Sequence, residues 1–252
     1  MFSFTEKVVW VTGSSTGIGR AIALEFAEHG ATVIVHGNSN PEEANITLRE
    51  VQKRNSNAIL VLGDVTDRNQ VDQMVAEIKN KYDRIDILIN NAGSMVKRSK
   101  IEDLDQDTLE KIINTNFTSV FHVTQSVLPL MKQQEKGVIV NMTSIAARNG
   151  GGVGAVAYAA AKAAVSTLTR GLAKELVNDN IRVNGIAPGI VTTPFHDQFS
   201  TPELRERMAG QVPLGREGTP KEVAGAALYL ASDYASYITG EIIEVNGGLL
   251  MD

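Results

Sequence analysis

The chain contains 252 residues, 43% of them apolar and 21% charged, which suits one large α/β domain or two small domains. Acidic residues (29) outnumber basic ones (24) and no long basic run occurs, so the net charge of −5 argues against a nucleic-acid or membrane partner. Cysteine is absent, the four histidines lack metal-ligand spacing, and neither a signal peptide nor a long apolar stretch is evident, so we expect a soluble cytoplasmic protein without disulfides or metal.

Short, β-branched apolar runs alternate with segments of helical periodicity along the chain. The predicted strands are residues 7–12, 32–35, 58–62, 85–90, 137–142, 181–187 and 241–245. The predicted helices are residues 18–29, 42–54, 67–81, 105–133, 155–178, 202–210 and 221–231. The strands are apolar throughout, which is typical of strands buried on both faces. Because alternating strands and helices form right-handed βαβ units, the sequence predicts an α/β fold: a single-domain, Rossmann-type, doubly wound parallel sheet of about seven strands, with helices on both faces.

No linker, repeat or low-complexity segment interrupts this pattern, so we expect residues 1–252 to form one domain. The least regular region, residues 188–220, contains five prolines. Irregular connections of this length are often functional lids. We therefore expect a mobile lid around residues 188–220.

A glycine-rich segment, VTGSSTGIGR at residues 11–20, follows the first predicted strand and opens the first helix. Gly13, Gly17 and Gly19 let the backbone turn tightly and approach a pyrophosphate, whose charge meets the positive end of the helix. Any such loop can also be a simple turn with a helix cap. Its position directly after the first strand favours a dinucleotide, because ligands bind beyond the carboxyl ends of the strands in such sheets.

The end of the second predicted strand, VHGNSN at residues 35–40, bears on the choice of dinucleotide. An acidic residue there binds the ribose 2′-hydroxyl and repels a 2′-phosphate. This chain has the neutral residues Gly37, Asn38 and Ser39 instead. Asn38 and Ser39 are able to donate hydrogen bonds to a phosphate, although no arginine or lysine accompanies them, so the sequence favours NADP(H) slightly over NAD(H).

Tyr158 and Lys162 stand four residues apart in a run that is otherwise alanine, AYAAAKAA at residues 157–164. On a helix they share one face, about 5–6 Å apart at Cβ. A free tyrosine has a pKa of about 10, and a neighbouring ammonium favours the phenolate, as should the positive charge of an oxidised nicotinamide. A pKa lowered towards neutrality would make the phenol an efficient acid/base catalyst. Seen alone, such a pair is more often a solvated surface contact.

Together these motifs resemble the short-chain dehydrogenase/reductase family, in its 3-oxoacyl-[acyl-carrier-protein] reductase-like subgroup. The matching pieces, in the family's order and at about its spacing, are TGSSTGIG (12–19), GDV (63–65), NNAG (90–93), NTNF (114–117), MTS (142–144), YAAAK (158–162), APGIVTT (187–193) and VNGG (245–248). The resemblance covers nearly the whole chain. It implies an enzyme that interconverts a carbonyl group and a secondary alcohol by hydride transfer with NAD(P)(H).

The resemblance also implies four catalytic residues. Tyr158 is the general acid/base, and Lys162 lowers its pKa and binds the nicotinamide ribose hydroxyls. Ser144 hydrogen-bonds the substrate oxygen. Asn116 helps to hold a water that links Lys162 to solvent. Considered alone, Ser144 fits the cap of a turn and Asn116 fits a hydrogen-bonding residue inside a helix.

The cofactor contacts follow from the same resemblance. Asp64 and Val65 meet the adenine, and Asn90 the adenosine ribose region. The Val191 amide and the Thr193 hydroxyl touch the nicotinamide amide. We call the complete set the predicted cofactor set: Gly13, Ser15, Thr16, Gly17, Ile18, Gly19, Asn38, Ser39, Asp64, Val65, Asn90, Ala92, Gly93, Tyr158, Lys162, Pro188, Gly189, Val191 and Thr193. Many NADP(H)-using members have a basic residue at the position of Thr16, which leaves NAD(H) open.

The substrate remains open at this stage. Members of the resembling subgroup have basic residues, for docking an acidic carrier protein, at positions that match Glu135 and Asp179 here. Nearby lysines compensate for this acidic pair in part: Lys132, Lys136 and Lys174. We therefore favour a small free ketone, alcohol, sugar or polyol. A 3-oxoacyl-[acyl-carrier-protein] reductase and a non-catalytic nucleotide-binding scaffold are the alternatives.

Two further expectations concern the substrate pocket and the assembly. The pocket walls are expected from residues 94–96, 146–153 and 194–212. The last segment offers an apolar lid set: Phe195, His196, Phe199 and Met208. Because family members are commonly tetramers, we expect a homotetramer in which the helices at 105–133 and 155–178 pair with their mates.

Overall fold

Seven strands and ten α-helices lie within residues 2–251, the part of the chain that the computed structural model describes. The strands are β1 (Val8–Val11), β2 (Thr32–Gly37), β3 (Ile59–Leu62), β4 (Ile87–Asn90), β5 (Gly137–Met142), β6 (Ile181–Pro188) and β7 (Ile242–Val245). The helices are α1 (Gly17–Glu28), α2 (Pro41–Gln52), α3 (Arg68–Tyr82), α4 (Gln106–Ile113), α5 (Ser119–Gln133), α6 (Ala146–Asn149), α7 (Val156–Leu176), α8 (Pro194–Phe199), α9 (Pro202–Ala209) and α10 (Pro220–Ala231). None of these helices combines the length and apolar character that a membrane crossing requires.

All seven strands join one parallel sheet in the order β3-β2-β1-β4-β5-β6-β7. The register at its centre pairs Trp10 of β1 with Ile34 of β2 on one side and with Leu88 of β4 on the other. The strand order reverses between β1 and β4, which is where a doubly wound sheet opens a crevice beyond its carboxyl ends. The predicted Rossmann-type architecture is confirmed.

The central strands bury side chains on both faces of the sheet. In β1, Val9 packs into the cluster that holds Phe26 of α1, and Trp10 packs into the cluster that holds Val127 of α5. Both β1 side chains are completely buried. Two helical layers therefore cover the sheet, which explains why the strand sequences are apolar throughout instead of alternating.

The predicted helix at residues 105–133 is interrupted in the structure. One π-helical turn, Asn114–Thr118, separates α4 from α5. The sequence pattern could not reveal this turn because the helical periodicity of residues 105–133 continues through it. Single π turns inside helices frequently mark functional sites. Two short helices, α6 and α8, were not predicted either, since four and six residues are too few to establish a period.

Candidate active site

A crevice of about 1370 Å³ opens beyond the carboxyl ends of the strands, bounded by the glycine-rich loop, the first half of α7 and the lid segment. Every residue of the predicted cofactor set lines it except Asn90, and Ser144 lines it as well. Apart from Asn90 and Asn116, the residues that the sequence motifs singled out therefore converge on one cavity, although they are spread over most of the chain. Among residues 2–251, no group of three or more His, Asp or Glu side chains could hold a metal ion.

The start of α1 leaves backbone donors facing the crevice. Gly17, its first residue, has φ of +57°, a left-handed conformation that favours glycine. The preceding residue, Thr16, makes no side-chain cap bond, and the first turn carries no acidic residue. The first N–H groups of the helix thus keep their hydrogen-bonding capacity for an anion. This arrangement fits the pyrophosphate of a dinucleotide.

The other two loop glycines are required by close packing within the protein. A Cβ atom on Gly19 would lie 2.3 Å from the Gly13 carbonyl oxygen, and one on Gly13 would lie 2.9 Å from Cα of Ala92. Asn91 fastens the same region, because its side-chain amide donates to the carbonyls of Thr12 (2.9 Å) and Gly13 (3.0 Å). The turn after β4 therefore shapes the glycine-rich loop directly.

His36 is a site residue that the sequence analysis missed. Its Nδ1 accepts a hydrogen bond from the Gly13 amide (2.8 Å), and its Nε2 contacts the Gly63 carbonyl (3.0 Å). Since the amide can only donate and the carbonyl can only accept, the imidazole is neutral with its proton on Nε2. Burial lowers the pKa of His36 to about 4, despite the opposing effects of Gly63 and Asp64. The available signal was its position at the carboxyl end of a buried strand, next to Gly37.

Tyr158 and Lys162 project from the first turns of α7. The Lys162 side chain is only 3% exposed, and its ammonium donates to the Met142 carbonyl at the end of β5 (2.8 Å). The same nitrogen lies 5.9 Å from the centroid of the Tyr158 ring. Burial lowers the pKa of Lys162 to about 8. The pair thus forms one face of the crevice, with Ser144 beside it at the end of β5.

Burial of Tyr158 opposes the lowered pKa that we expect from Lys162 and an oxidised nicotinamide together. Burial raises the pKa of Tyr158 to about 12, and the interaction with the Ser144 hydroxyl offsets this only in part. Desolvation disfavours the phenolate more strongly than the neighbouring protein groups favour it. The protein's own residues therefore keep Tyr158 neutral at neutral pH.

Asn116 lies behind the crevice wall and does not line it. Its side-chain amide donates to the carbonyls of Ser94 (2.6 Å) and Ile112 (2.8 Å), and its Oδ1 accepts from the Ser94 amide (3.1 Å). A Cβ atom on Gly93 would lie 2.9 Å from that Oδ1 and 3.1 Å from Nζ of Lys162. The π turn therefore brings Asn116 against the segment that also contacts Lys162.

The predicted contact of Asn90 with the adenosine ribose needs correction. Its amide nitrogen donates to Thr124 (3.0 Å) and to Asn141 (2.9 Å), and Asn141 in turn donates to Thr169 (2.9 Å). These four side chains are buried between the sheet and the helices α5 and α7. The Asn90 side chain is directed into this network, so it belongs to the core of the sheet and not to the crevice.

The predicted substrate walls converge in part. Within residues 94–96 only Met95 lines the crevice, whereas the segments at 146–153 and 194–212 both contribute to it. Phe195 of the lid segment packs against Tyr158, with ring centroids 5.8 Å apart, and against Phe199 at 5.0 Å. Phe199 thus supports the lining without reaching the crevice itself.

Comparisons with known proteins place the chain in a family. The family model described as enoyl-(acyl carrier protein) reductase matches residues 13–250. The chain is 42% identical over 249 residues to the 3-oxoacyl-[acyl-carrier-protein] reductase FabG of Thermotoga maritima, covering 97% of this chain and 98% of that protein.

Solved structures give the same assignment. A 7α-hydroxysteroid dehydrogenase complexed with NADH and 7-oxo glycochenodeoxycholic acid has a TM-score of 0.92 and 35% identity, over 98% of this chain and 95% of its own. A candidate gluconate dehydrogenase from Agrobacterium tumefaciens has a TM-score of 0.94 and 30% identity, over 100% and 98%. The protein therefore belongs to the short-chain dehydrogenase/reductase family and is an oxidoreductase that acts on carbonyl or CH–OH groups with NAD(P).

Proposed function

We propose that this protein interconverts a small ketone, sugar or polyol carbonyl with the corresponding secondary alcohol, with Tyr158 as its acid/base. The supporting observation is that the three reactive side chains, Tyr158, Lys162 and Ser144, line one crevice together with the glycine-rich loop. A crevice for nucleotide binding alone needs no buried ammonium beside a phenol. The geometry thus favours catalysis over a non-catalytic scaffold.

The residues present fit a nicotinamide dinucleotide along the crevice. The uncapped start of α1 suits the pyrophosphate, and Asp64 and Val65 suit the adenine. Lys162 suits the nicotinamide ribose, and Val191 and Thr193 suit the nicotinamide amide. When bound, the nicotinamide ring supplies the hydride for carbonyl reduction or accepts it in alcohol oxidation.

The protein moves the proton. In reduction, the Tyr158 hydroxyl donates its proton to the carbonyl oxygen while Ser144 donates a hydrogen bond to the same oxygen. Burial, which keeps the phenol neutral, maintains the proton-donating form. The Lys162 ammonium then stabilises the phenolate, since only one of its three N–H groups is used by Met142. Oxidation runs through the same groups in reverse.

Replacing Tyr158 with Phe tests the mechanism. We expect Y158F to lower kcat by roughly 10²- to 10⁴-fold, because the acid/base group is lost. Nucleotide affinity, measured by fluorescence titration, should change little. Turnover is followed by nicotinamide absorbance. Y237F, which alters a fully exposed tyrosine, is the matched control and should behave as the wild type. Wild-type turnover by Y158F would disprove the assignment, and nucleotide binding without turnover by the wild type on any carbonyl would support the scaffold.

For the cofactor, we infer that NADP(H) is preferred slightly and that NAD(H) is also accepted. Asn38 and Ser39 line the crevice where an acidic residue would select NAD(H). Arg20 of α1 is engaged by Glu43 (3.5 Å) and Glu50 (2.9 Å), so its charge is already compensated. Because the neutral donors Asn38 and Ser39 have no free cation beside them, they support only a modest preference for NADP(H) over NAD(H).

A carboxylate introduced at this place should reverse that preference. We expect N38D to lower kcat/KM for NADPH relative to NADH by about tenfold or more, because the new charge repels the 2′-phosphate. The measurement is the ratio of kcat/KM for the two cofactors. N45D adds the same charge on the exposed side of α2 and should leave the ratio unchanged. An unaltered ratio in N38D would show that the adenosine end lies elsewhere.

A 3-oxoacyl-[acyl-carrier-protein] reductase remains the second candidate, favoured by the 42% identity to the Thermotoga maritima protein. Against it, Asp179 forms an ion pair with Lys132 (2.8 Å), which neutralises one of the lysines that would attract an acidic carrier. Measuring kcat/KM for the same 3-oxoacyl group attached to the carrier protein and to N-acetylcysteamine distinguishes this candidate from an enzyme of small free carbonyl compounds. A large kcat/KM advantage for the carrier-bound form would support this candidate.

We also propose that residues 188–220 act as the lid of the site, through α8 and α9. Phe195 of α8 packs on the Tyr158 ring, so its position depends on whether the segment is closed. Arg205 stabilises the segment, because its guanidinium forms a bidentate ion pair with the Glu217 carboxylate (2.9 and 2.6 Å). Closure of such a segment would exclude water from the phenol.

A further inference from the structure

The charges that line the crevice are unequally divided. Among residues 2–251, Asp64 is the only carboxylate in the lining. Its Oδ1 accepts hydrogen bonds from both the amide and the hydroxyl of Thr66 (2.8 Å each), at the end of β3. The basic lining residues, apart from the proposed catalytic Lys162, are Arg98, Lys111 and Arg207. The end of the crevice away from β3 is therefore electropositive.

Arg98 is the basic residue that is held most firmly. Its Nε donates to the Phe199 carbonyl at the end of α8 (3.1 Å), and its Nη1 donates to the Val153 carbonyl in the loop before α7 (2.8 Å). Arg98 thus connects α8 with the loop before α7, the two segments on either side of the crevice entrance. A guanidinium has five N–H donors, so three remain for another partner.

No acidic side chain among residues 2–251 neutralises the charge of Arg98. In the described part of the chain, no carboxylate lies within ion-pair distance of it, and the side chain is half-buried. Burial lowers the pKa of Arg98, and no acidic group opposes that effect. Backbone carbonyls hold its position without neutralising it. A partly desolvated cation with free donors in a crevice is suited to an anionic ligand.

Arg98 belongs to the substrate end of the crevice. The residue whose carbonyl it binds, Phe199, packs its ring on Phe195, and Phe195 packs on Tyr158. Its other partner, Val153, follows the short helix α6, which begins two residues after Ser144. Arg98 is therefore linked to the proposed acid/base through Phe199 and Phe195. The adenine end, near Asp64, is formed by other strands.

We propose that the substrate carries a carboxylate at the end away from its reacting carbon, and that Arg98 binds this carboxylate with its unused N–H donors. Arg207 of α9 and Lys111 also line the crevice and add positive charge to it. This inference rests on the proposed function and narrows it to oxo acids and hydroxy acids.

Matched pairs of substrates test this inference. Acetoacetate and levulinate place the carboxylate at different distances from the ketone, and each is compared with its methyl ester. We expect the wild type to favour the acid of at least one pair by about tenfold or more in kcat/KM. R98Q should reduce that acid-to-ester ratio by about tenfold to a hundredfold. R98K should give an intermediate ratio, because lysine keeps the charge but cannot bind a carboxylate in bidentate geometry.

Lys97 provides the control for charge. K97Q removes one positive charge from the neighbouring, exposed position, which does not line the crevice, and should leave the ratio unchanged. Nucleotide dissociation constants of R98Q should stay within about twofold of the wild type. If R98Q weakens nucleotide binding as much as it weakens acid turnover, Arg98 serves the cofactor and the inference is wrong.

Failure of the inference is distinguishable from failure of the proposed function. If the esters are turned over and no acid is preferred to its ester, the inference is wrong but the proposed function stands. If no ketone is turned over, the proposed function fails. The inference can then still be tested by comparing how much levulinate and methyl levulinate raise the melting temperature of the protein–nucleotide complex. Stabilisation by levulinate that R98Q abolishes and K97Q retains supports the anion site, whereas equal stabilisation by acid and ester overturns it.

Discussion

Desolvation governs the single residues of the site. Burial raises the pKa of Tyr158 to about 12 and lowers the pKa of Lys162 to about 8, so both groups are shifted towards their neutral forms. A neutral phenol at neutral pH is a ready proton donor, which suits carbonyl reduction. Alcohol oxidation requires the phenolate first, so this direction needs further positive charge near Tyr158.

His36, which binds the glycine-rich loop, makes the stability of the folded protein depend on pH. Its pKa of about 4 in the folded protein lies below the ordinary value of 6.5, so between these values the unfolded chain binds more protons. Its contribution to stability is therefore fully present above about pH 6.5 and is lost as pH falls through about 4. The Asp64 carboxylate nearby moderates this shift.

Replacing His36 with Gln should remove this acid sensitivity. A glutamine side chain has both an acceptor for the Gly13 amide and a donor for the Gly63 carbonyl. We expect the free energy of unfolding of the wild type to fall relative to that of H36Q by up to about 3 kcal/mol as pH is lowered from about 7 to about 4. Urea unfolding at several pH values measures the difference. H29Q is the control, and a pH-independent difference between wild type and H36Q would contradict this prediction.

At the scale of elements, the π turn between α4 and α5 decides where Asn116 lies. A regular helix through Asn114–Thr118 would rotate the following residues relative to α4. In the structure, Asn116 instead satisfies both the amide and the carbonyl of Ser94, next to Gly93. Because Gly93 also approaches Lys162, the turn acts on this lysine, the proposed partner of Tyr158, through one glycine.

Replacing Asn116 with Ala should therefore affect both stability and activity. Loss of the side chain leaves the half-buried amide and carbonyl of Ser94 unsatisfied and removes a buried hydrogen bond to the Ile112 carbonyl, so we expect a loss of about 1–3 kcal/mol in unfolding free energy. We also expect kcat to fall more than nucleotide affinity, since the surroundings of Lys162 change. N80A, at an exposed asparagine of α3 that does not line the crevice, should change neither quantity appreciably. Equal effects of N116A and N80A would show that Asn116 has no special role.

At the scale of the whole molecule, the sheet leaves α5 and α7 on one outer face. Each helix exposes a large apolar side chain, Phe121 (46% exposed) on α5 and Val156 (48%) on α7. Exposed apolar groups on such a face suit contact with a second copy of the chain. This supports the homotetramer expected from the family resemblance.

Light scattering tests the assembly. We expect a mass near four times the chain mass of 27.1 kDa. F121E should lower the measured mass, because burying a carboxylate in an apolar interface is unfavourable. L62E, on the edge strand β3, places the same charge on a half-exposed leucine away from this face and should leave the mass unchanged. A wild-type mass of one chain would refute the tetramer.

The features that the sequence alone determined are those with a local physical cause. Apolar runs and helical periodicity depend on neighbours a few residues apart, so they predicted every strand and the doubly wound sheet. The spacing of Tyr158 and Lys162 likewise predicted a shared face, because a helix brings positions four apart together. The glycine-rich loop was identified from its place between β1 and α1.

The tertiary structure alone decided the features that depend on contacts between distant segments. Arg98 meets Phe199 across about a hundred positions of the chain, and His36 meets Gly13 across 23. The Asn90 side chain is directed into the core because Thr124 and Asn141 lie there. Desolvation of Tyr158 likewise depends on everything packed around it, so the spacing of Tyr158 and Lys162 could not reveal that burial raises the pKa of the phenol. Burial and long-range hydrogen bonds arise only when the chain has folded, and no local pattern encodes them.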